Sequence, residues 1–201
     1  SAEAHYSFRK AMAVTGIGAS NLIPVRTLTN GQMGPVALDE AIRGAKERGF
    51  APFFVAATSG STVRGSFDDI DAIVRVCRQQ ETIDANTGRR HRIWVHVDGA
   101  WGGSAIFSQR PDVSNLLSGV QRADSFTFNP HKMLGAPNQT TAFITRHRGL
   151  LKASNSTGAK YLFDPRKNGA EYDLGDSTYT CGRRPDAIKL WALWKYHGRE
   201  G

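Results

Sequence analysis

Short apolar runs alternate along this chain with segments whose apolar residues recur at helical spacing. Residues 53–57 are continuously apolar, as in strands buried on both faces of a parallel sheet, and residues 93–97, which are apolar apart from His96, are predicted as the next buried strand. Between them, the stretch from Ile70 to Cys77 places its apolar residues on one helical face. This alternation predicts an α/β fold in which a mostly parallel sheet is flanked by helices.

The remaining predicted elements extend the same pattern. Helices are predicted over residues 6–14, 39–48 and 187–197, and strands over residues 22–28, 125–128 and 141–145. Asp68 or Asp69 is expected to cap the helix that follows it. Residues 81–90 form a polar loop, and residues 163–184 are polar and glycine-rich, as lids and binding loops are. Right-handed crossovers place ligands at the carboxyl ends of parallel strands, where Thr58 and Asp98 stand.

The chain is basic, with 26 lysine and arginine residues against 18 acidic ones and a net charge of +8. Such a charge suits nucleic-acid binding. However, the densest basic cluster, residues 89–92, has no interleaved aromatic residues, and no nucleic-acid module is recognisable. We therefore expect a solvated basic surface and no nucleic-acid partner.

The two cysteines, Cys77 and Cys181, lie far apart and in no metal-ligand spacing. We expect no metal site, a buried packing role for Cys77, and a reducing, cytoplasmic setting. No run approaches the roughly 18 apolar residues of a membrane span. The N-terminus has no basic region leading into an apolar stretch, so no signal peptide is expected. The first residue is Ser1 and not Met, which suggests a chain that begins inside a longer protein.

An acid and a lysine are the first candidates for chemistry. Asp98 closes the strand-like run 92–97, and Lys132 lies in a polar turn over residues 128–133. A pyridoxal phosphate enzyme needs a lysine that forms a Schiff base with the cofactor and a carboxylate that pairs with its pyridine nitrogen. From these residues alone, a surface lysine and a carboxylate that caps the turn after the strand remain open alternatives.

Two further segments carry polar side chains that suit a cofactor site. His5 opens the first helix and could stack on an aromatic ring or transfer a proton, although an exposed histidine near a chain end is the alternative. Residues 56–62 are a strand end followed by small, hydroxyl-rich residues, which let a backbone and hydroxyls approach a ligand closely. The segment lacks the Gly-Lys-Ser/Thr ending of a P-loop.

The order of the motifs resembles that of the group II pyridoxal phosphate-dependent decarboxylases, in particular the glutamate decarboxylase and cysteine sulfinate decarboxylase branch. The matching segments are residues 4–7, 57–68, 96–103, 128–135, 161–163 and 180–183. The resemblance covers nearly the whole chain, and ordered motifs at this spacing are highly specific.

The resemblance implies a pyridoxal 5'-phosphate site. Lys132 matches the catalytic lysine that forms the Schiff base, and Asp98 matches the partner of the pyridine nitrogen. His5 matches the catalytic histidine that stacks on the cofactor ring, and Ala100 matches the small residue on the opposite face. Thr58 falls where the family contacts the ring oxygen.

The resemblance also implies phosphate contacts and residues that handle the substrate. Asn129 and His131 fall where the family contacts or backs the phosphate. Tyr161 resembles the loop tyrosine that protonates the substrate carbon after carbon dioxide leaves, and Arg183 resembles the arginine that grips the substrate α-carboxylate. Gly99 stands where relatives often have alanine, a mild change that is expected to loosen the turn.

The implied fold is the large domain of the fold-type I pyridoxal phosphate-dependent transferases, incomplete at both ends. Residues 1–160 would be the central part of the cofactor-binding domain, residues 161–184 a mobile catalytic loop and substrate-carboxylate segment, and residues 185–201 a helix leading toward a C-terminal domain. The implied enzyme is a homodimer that decarboxylates glutamate, cysteine sulfinate or aspartate, and this chain alone is expected to be inactive. An aromatic-L-amino-acid decarboxylase and a truncated, non-catalytic polypeptide of the family are the alternatives.

Overall fold

The computed structural model describes residues 1–159, 161–164, 166–180 and 182–198. Cys181, which belongs to one of the matching segments, lies outside the described residues. The chain divides into two compact units, Ser1–Ile144 and Thr145–Gly201. In chain order, the helices and strands are α1 (Ser7–Val14), α2 (Pro35–Glu47), β1 (Phe54–Thr58), α3 (Ile70–Gln79), β2 (Thr82–Ile83), β3 (Arg90–His91), β4 (Trp94–Gly99), α4 (Pro111–Ser114), β5 (Ser125–Phe128), β6 (Ala142–Thr145), α5 (Leu150–Asn155) and α6 (Ala187–His197).

The main sheet has the strand order β1-β4-β5-β6. Strands β1 and β4 are parallel, and so are β4 and β5. The predicted α/β fold with a mostly parallel sheet is therefore confirmed. The register pairs Thr58 of β1 with Asp98 of β4, and Asp98 with Thr127 of β5. Three polar side chains thus stand in one row at the carboxyl end of the sheet.

The core lies between one face of this sheet and the helices α2 and α3. Because side chains alternate along a strand, Val55 and Ala57 point to the same side as Val95 and Val97. These residues pack with the apolar stripes of the two helices, formed by Leu38, Ile42, Ile70, Ile73, Val74 and Cys77. Cys77 is fully buried, and burial raises the pKa of its thiol to about 12, which confirms its packing role.

The helix boundaries follow local chemistry. Helix α2 begins at Pro35, before the predicted start at residue 39, because proline suits the first turn of a helix. Helix α3 is capped by Asp69, whose Oδ1 accepts a hydrogen bond from the Ala72 amide at 2.9 Å. Of the two candidate caps, Asp69 therefore has this role, while Asp68 is buried in other contacts.

Two predicted segments differ from the structure. The predicted strand over residues 22–28 is absent, and only an isolated bridge between Thr27 and Met33 forms there. Pro24 has no amide proton to donate, and Leu22, Ile23 and Leu28 are exposed, so no partner strand stabilises the run. The predicted polar loop over residues 81–90 contains a short antiparallel hairpin formed by β2 and β3.

Between α5 and α6, the described residues of the unit Thr145–Gly201 form little regular structure. Short 3₁₀ turns occupy Ala170–Tyr172 and Gly175–Ser177. Asn155 in α5 donates to the Ser177 carbonyl at 3.4 Å, and Lys152 lies 3.5 Å from Asp176. Helix α6 has the predicted bounds. Within the described parts of the chain, no helix is both long enough and apolar enough to cross a membrane.

Candidate active site

A cavity of about 400 Å³ opens at the carboxyl ends of β1, β4 and β5. Its volume falls in the range of small-molecule binding sites, and its position is the one that parallel sheets favour for ligands. Six of the nine predicted site residues line it, namely His5, Thr58, Asp98, Ala100, Asn129 and Lys132. Segments far apart in the sequence are thus brought to one place.

Asp98 stands in the middle of the polar row at the sheet end. Its side chain is half-buried, and Oδ1 accepts a hydrogen bond from the Ala100 amide at 3.0 Å. The carboxylate therefore caps the turn, as the simpler interpretation expected. Oδ2 has no hydrogen-bond partner in the described part of the chain. One carboxylate can therefore both hold the turn and offer an acceptor to a ligand.

Lys132 is held by a turn that is tied to the end of β4. The Lys132 amide donates to the Asn129 carbonyl at 2.9 Å, and the Ala136 amide donates to the Pro130 carbonyl at 3.1 Å. The Asn129 amide in turn donates to the Ala100 carbonyl at 3.3 Å. The half-buried Lys132 side chain has no ion-pair partner among the described residues. The cavity therefore contains a primary amine that no described carboxylate holds, and Lys132 is the candidate to bind a carbonyl group there.

His5 lies just before α1 with one ring nitrogen already occupied. Nδ1 accepts a hydrogen bond from the Ser7 amide at 3.3 Å and lies 2.8 Å from Ser7 Oγ. The ring also contacts Tyr6, with centroids 4.3 Å apart. These contacts fix the imidazole at the edge of the cavity.

Two buried polar atoms in the cavity wall lack a partner. Thr58 Oγ1 and Asn129 Oδ1 have no hydrogen bond to any described residue. Buried polar atoms are almost always hydrogen-bonded, so unpaired ones in a cavity wall indicate a ligand with polar atoms. An aromatic cofactor that carries a phosphate and an aldehyde fits this set, since the cavity also offers a carboxylate acceptor and a primary amine. The residues present therefore fit pyridoxal 5'-phosphate.

Three predicted site residues are not among those that line the cavity. His131 is half-buried beside it, and its Nδ1 lies 2.5 Å from the Thr140 carbonyl oxygen and 3.1 Å from the Thr140 amide nitrogen. Tyr161, whose side chain is 82% exposed, and Arg183, also exposed, belong to the second unit. The roles expected for these three residues stay predictions.

Sequence reasoning missed several residues of the cavity wall, among them Thr127 and His96. The sequence carried a signal for each of them. Thr127 lies two residues before Asn129, and His96 lies two residues before Asp98 and so on the same face of its strand. His96 Nδ1 lies 2.8 Å from Ser125 Oγ, and burial lowers the pKa of the imidazole although the charge of Asp98 opposes this.

Glycines let the turns around the cavity approach one another. Gly60 has φ of 81°, and a Cβ there would lie 2.7 Å from the Gly102 amide nitrogen. A Cβ at Gly99 would lie 2.6 Å from Cε2 of Phe126. The sequence suggested that Gly99 loosens the turn. In the structure, its lack of a side chain also makes room for the Phe126 ring.

Comparison with protein families agrees with this geometry. The model of the pyridoxal-dependent decarboxylase conserved domain matches residues 1–201. The acidic amino acid decarboxylase GADL1 of Xenopus tropicalis is 44% identical over 203 aligned positions, which cover 100% of this chain and 37% of that protein. The human protein of the same name is also 44% identical, with 36% of its length covered.

Solved structures resemble the chain in the same way. The crystal structure of mouse CSAD has a TM-score of 0.87 at 40% identity, covering 99% of this chain and 38% of that one. Oryza sativa TDC with PLP and tryptamine has a TM-score of 0.83 at 30% identity, covering 98% of this chain and 38% of that one. The chain thus spans little more than a third of the length of these relatives, and it belongs to the pyridoxal-dependent decarboxylase family.

Proposed function

We propose that the full-length protein carrying this chain is a pyridoxal phosphate-dependent carboxy-lyase that removes the α-carboxylate of an acidic amino acid. The observation that carries the proposal is the presence of Asp98 and Lys132 in one cavity at the carboxyl ends of parallel strands. Family membership over the whole chain supports it. When bound, the cofactor would supply a positively charged ring that takes up the electron pair released as the bond from Cα to the carboxylate breaks.

Asp98 and Lys132 would hold the cofactor at its two reactive positions. The free Oδ2 of Asp98 would accept a hydrogen bond from the protonated ring nitrogen and stabilise its positive charge. The Lys132 amine would hold the cofactor through its aldehyde carbon. The turn that carries Lys132 is bonded to the segment after β4 through the Asn129 amide, which ties the backbone of Lys132 to that of Asp98.

The other residues of the cavity wall would orient the ring. His5 would stack on one face of the ring and Ala100 would lie against the other, where a small side chain leaves room. The unpaired Thr58 hydroxyl would donate a hydrogen bond to the ring oxygen, and the side-chain NH2 of Asn129 would donate to the phosphate. His131, held by Thr140, would back the phosphate from outside the cavity wall.

The residues proposed to handle the substrate, Tyr161 and Arg183, belong to the unit Thr145–Gly201. An arginine fork holds a carboxylate with two parallel hydrogen bonds, and Arg183 would orient the substrate in this way. Tyr161 would deliver the proton that replaces carbon dioxide on Cα. The products are an amine and carbon dioxide, and the reaction needs neither an oxidant nor a reductant.

The relatives support an acidic substrate over an aromatic one. The relatives that are 44% identical carry the name acidic amino acid decarboxylase, whereas the plant TDC structure with tryptamine is 30% identical. We accordingly propose glutamate, aspartate or cysteine sulfinate as the substrate class. We further propose a cytoplasmic homodimer, and that the chain by itself does not catalyse the reaction because it spans so little of its relatives' length.

Replacement of Lys132 in the full-length protein tests the function. We expect Lys132→Ala to abolish the visible absorption band of the bound cofactor and to lower carbon dioxide release from an acidic amino acid at least about a thousandfold. Lys10→Ala is the control, because Lys10 lies on α1 with its ammonium 4.8 Å from the Tyr6 ring centroid and outside the cavity wall. It should bind cofactor and react normally.

A comparison of acidic and aromatic amino acids as substrates distinguishes the proposed function from its alternatives. Wild-type protein should release carbon dioxide from glutamate, aspartate or cysteine sulfinate and not from tryptophan or tyrosine. Release from the aromatic amino acids alone would establish the aromatic decarboxylase. Absence of both cofactor binding and carbon dioxide release would favour a non-catalytic member of the family.

A further inference from the structure

Asp68 is a buried carboxylate that lies behind the cavity and does not line it. It is 4% exposed, and it immediately precedes Asp69, the cap of α3. Its two oxygens accept from different backbone amides: Oδ1 from Met33 at 2.6 Å and Oδ2 from Thr58 at 2.7 Å. Hydrogen bonds to a carboxylate in a buried site are strong, so these contacts hold both amides firmly.

Both backbone polar groups of Thr58 are bonded to Asp68. The Thr58 amide donates to the carboxylate, and the Thr58 carbonyl accepts from the Asp68 amide at 2.9 Å. The pairing with β4 at this level uses the next residue, since the Ser59 amide donates to the Asp98 carbonyl at 2.8 Å. Asp68 therefore fixes the last residue of β1 on the side that faces away from β4.

The residue fixed in this way carries an unpaired hydroxyl. Thr58 is 6% exposed, lines the cavity, and its Oγ1 has no partner among the described residues. Through Oδ1, the same carboxylate is bonded to Met33, which is 2% exposed in the core. The position of the Thr58 hydroxyl is thereby tied to the core of the unit Ser1–Ile144.

We propose that Asp68 is a positioning residue that holds the Thr58 hydroxyl in the cavity wall for a polar atom of the cofactor. This inference rests on the proposed function, because it takes pyridoxal 5'-phosphate as the ligand. Asp68 does not touch the ligand; it acts through the backbone of Thr58. A carboxylate is required, since asparagine has only one acceptor oxygen and would leave one of the two buried amides unpaired.

The test measures cofactor affinity in the cofactor-free full-length protein by titration with pyridoxal 5'-phosphate, followed through its visible absorption. We expect Thr58→Val to raise the dissociation constant about tenfold, the ordinary effect of losing one hydrogen bond. Asp68→Asn should raise it by a similar factor. The double variant should be no weaker than the weaker single variant, because both changes remove the same contact.

Asp69→Asn is the matched control. It makes the same chemical change at the next residue, where asparagine caps a helix as well as aspartate does. Its dissociation constant should stay within twofold of wild type. Asp68→Glu keeps both acceptor oxygens and displaces them by one methylene, so it provides a second variant if Asp68→Asn does not fold, with the same expected coupling to Thr58→Val.

The outcomes separate this inference from the proposed function. Additive effects, with the double variant about a hundredfold weaker than wild type, would show that Asp68 acts on overall stability and would overturn the positioning role. Wild-type affinity in both Asp68 variants would overturn it as well. Failure of the wild-type protein to bind pyridoxal 5'-phosphate would overturn the proposed function and this inference with it.

Discussion

At the scale of single residues, His96 is a buried side chain of the cavity wall that is held by a hydrogen-bonding contact and by aromatic rings. Its Nδ1 lies 2.8 Å from Ser125 Oγ, which also accepts from the Trp94 indole nitrogen at 2.8 Å. The rings of Phe54 and Phe143 stack with the imidazole at centroid distances of 6.0 Å. Burial among these rings disfavours the charged imidazolium and lowers the pKa of His96.

The lowered pKa of His96 predicts a dependence of stability on pH. The unfolded chain takes up a proton near the ordinary pKa of 6.5, whereas the folded protein does so only at lower pH. The contribution of His96 is therefore fully present above about pH 6.5 and is lost as the pH falls toward the folded-state pKa. The loss should be at most about 1.4 kcal/mol per pH unit, measured by chemical denaturation of the cofactor-free full-length protein.

A variant isolates this contribution. His96→Asn keeps a polar atom near the position of Nδ1, for the bond to Ser125, but cannot be protonated. Its unfolding free energy should fall less steeply than that of wild type between about pH 6.5 and 5. Identical slopes in the two proteins would contradict the role assigned to His96.

At the scale of elements, the turn after β1 decides the shape of the cavity edge. The Gly60 and Ser61 amides both donate to the Ser66 carbonyl, at 3.0 and 2.9 Å, and Ser61 Oγ lies 2.7 Å from Ser66 Oγ. The Gly102 amide donates to the Ser59 carbonyl at 3.0 Å, which draws the turn against the segment after β4. Backbone therefore lies against backbone at Gly60, where no side chain fits.

Gly60→Ala is expected to destabilise the protein by about 2–5 kcal/mol. Roughly 1–2 kcal/mol comes from left-handed backbone at φ of 81°, and roughly 1–3 kcal/mol from the overlap with Gly102. Gly44→Ala is the control of opposite sign. Gly44 lies inside α2 with only Arg48 Nη1 near a new Cβ, at 3.5 Å, so alanine should stabilise by about 0.5–1 kcal/mol. Thermal unfolding of both variants measures the two effects.

At the scale of the whole molecule, the net charge of +8 is offset locally, because several basic side chains pair with acidic ones. In the densest cluster, Arg90 lies 3.7 Å from Glu81 and His91 Nε2 lies 3.0 Å from the Pro52 carbonyl oxygen. Other arginines also pair with acidic groups, as Arg26 does with Glu40 and Arg122 with Asp71, both at 2.8 Å. Internal pairing of this kind leaves less charge for phosphates.

We therefore expect no binding of the full-length protein to duplex DNA or single-stranded RNA at about 0.15 M salt. A gel-shift titration checks this, with a low-salt arm at about 0.02 M in which weak, non-specific binding is expected for a basic protein. A shift that persists at the higher salt and is lost in an Arg89→Glu, Arg92→Glu double variant would establish a nucleic-acid site at residues 89–92.

Much of the fold could be predicted because it depends on local periodicity. The strands at 53–57 and 93–97 and the buried stripe of α3 follow from spacing alone, and α6 was placed with its observed bounds. The strand expected over residues 22–28 did not form, since a β-prone run becomes a strand only where a partner lies beside it. The segments that carry Asp98 and Lys132 could be identified from the sequence because motifs at strand ends and turns are local features.

The sequence by itself determined the α/β pattern, the positions of Thr58 and Asp98 at strand ends, and the chemical groups available for a cofactor site. Only the tertiary structure decided that Thr58, Asp98 and Thr127 stand in one row, and that His96 lines the cavity wall. Only the tertiary structure distinguished the roles of Asp68 and Asp69. Asp69 caps α3, whereas Asp68 accepts from backbone amides as far away in the chain as Met33. Propensity and periodicity are set by near neighbours, whereas the register of a sheet and the partners of a buried carboxylate depend on the path of the whole chain.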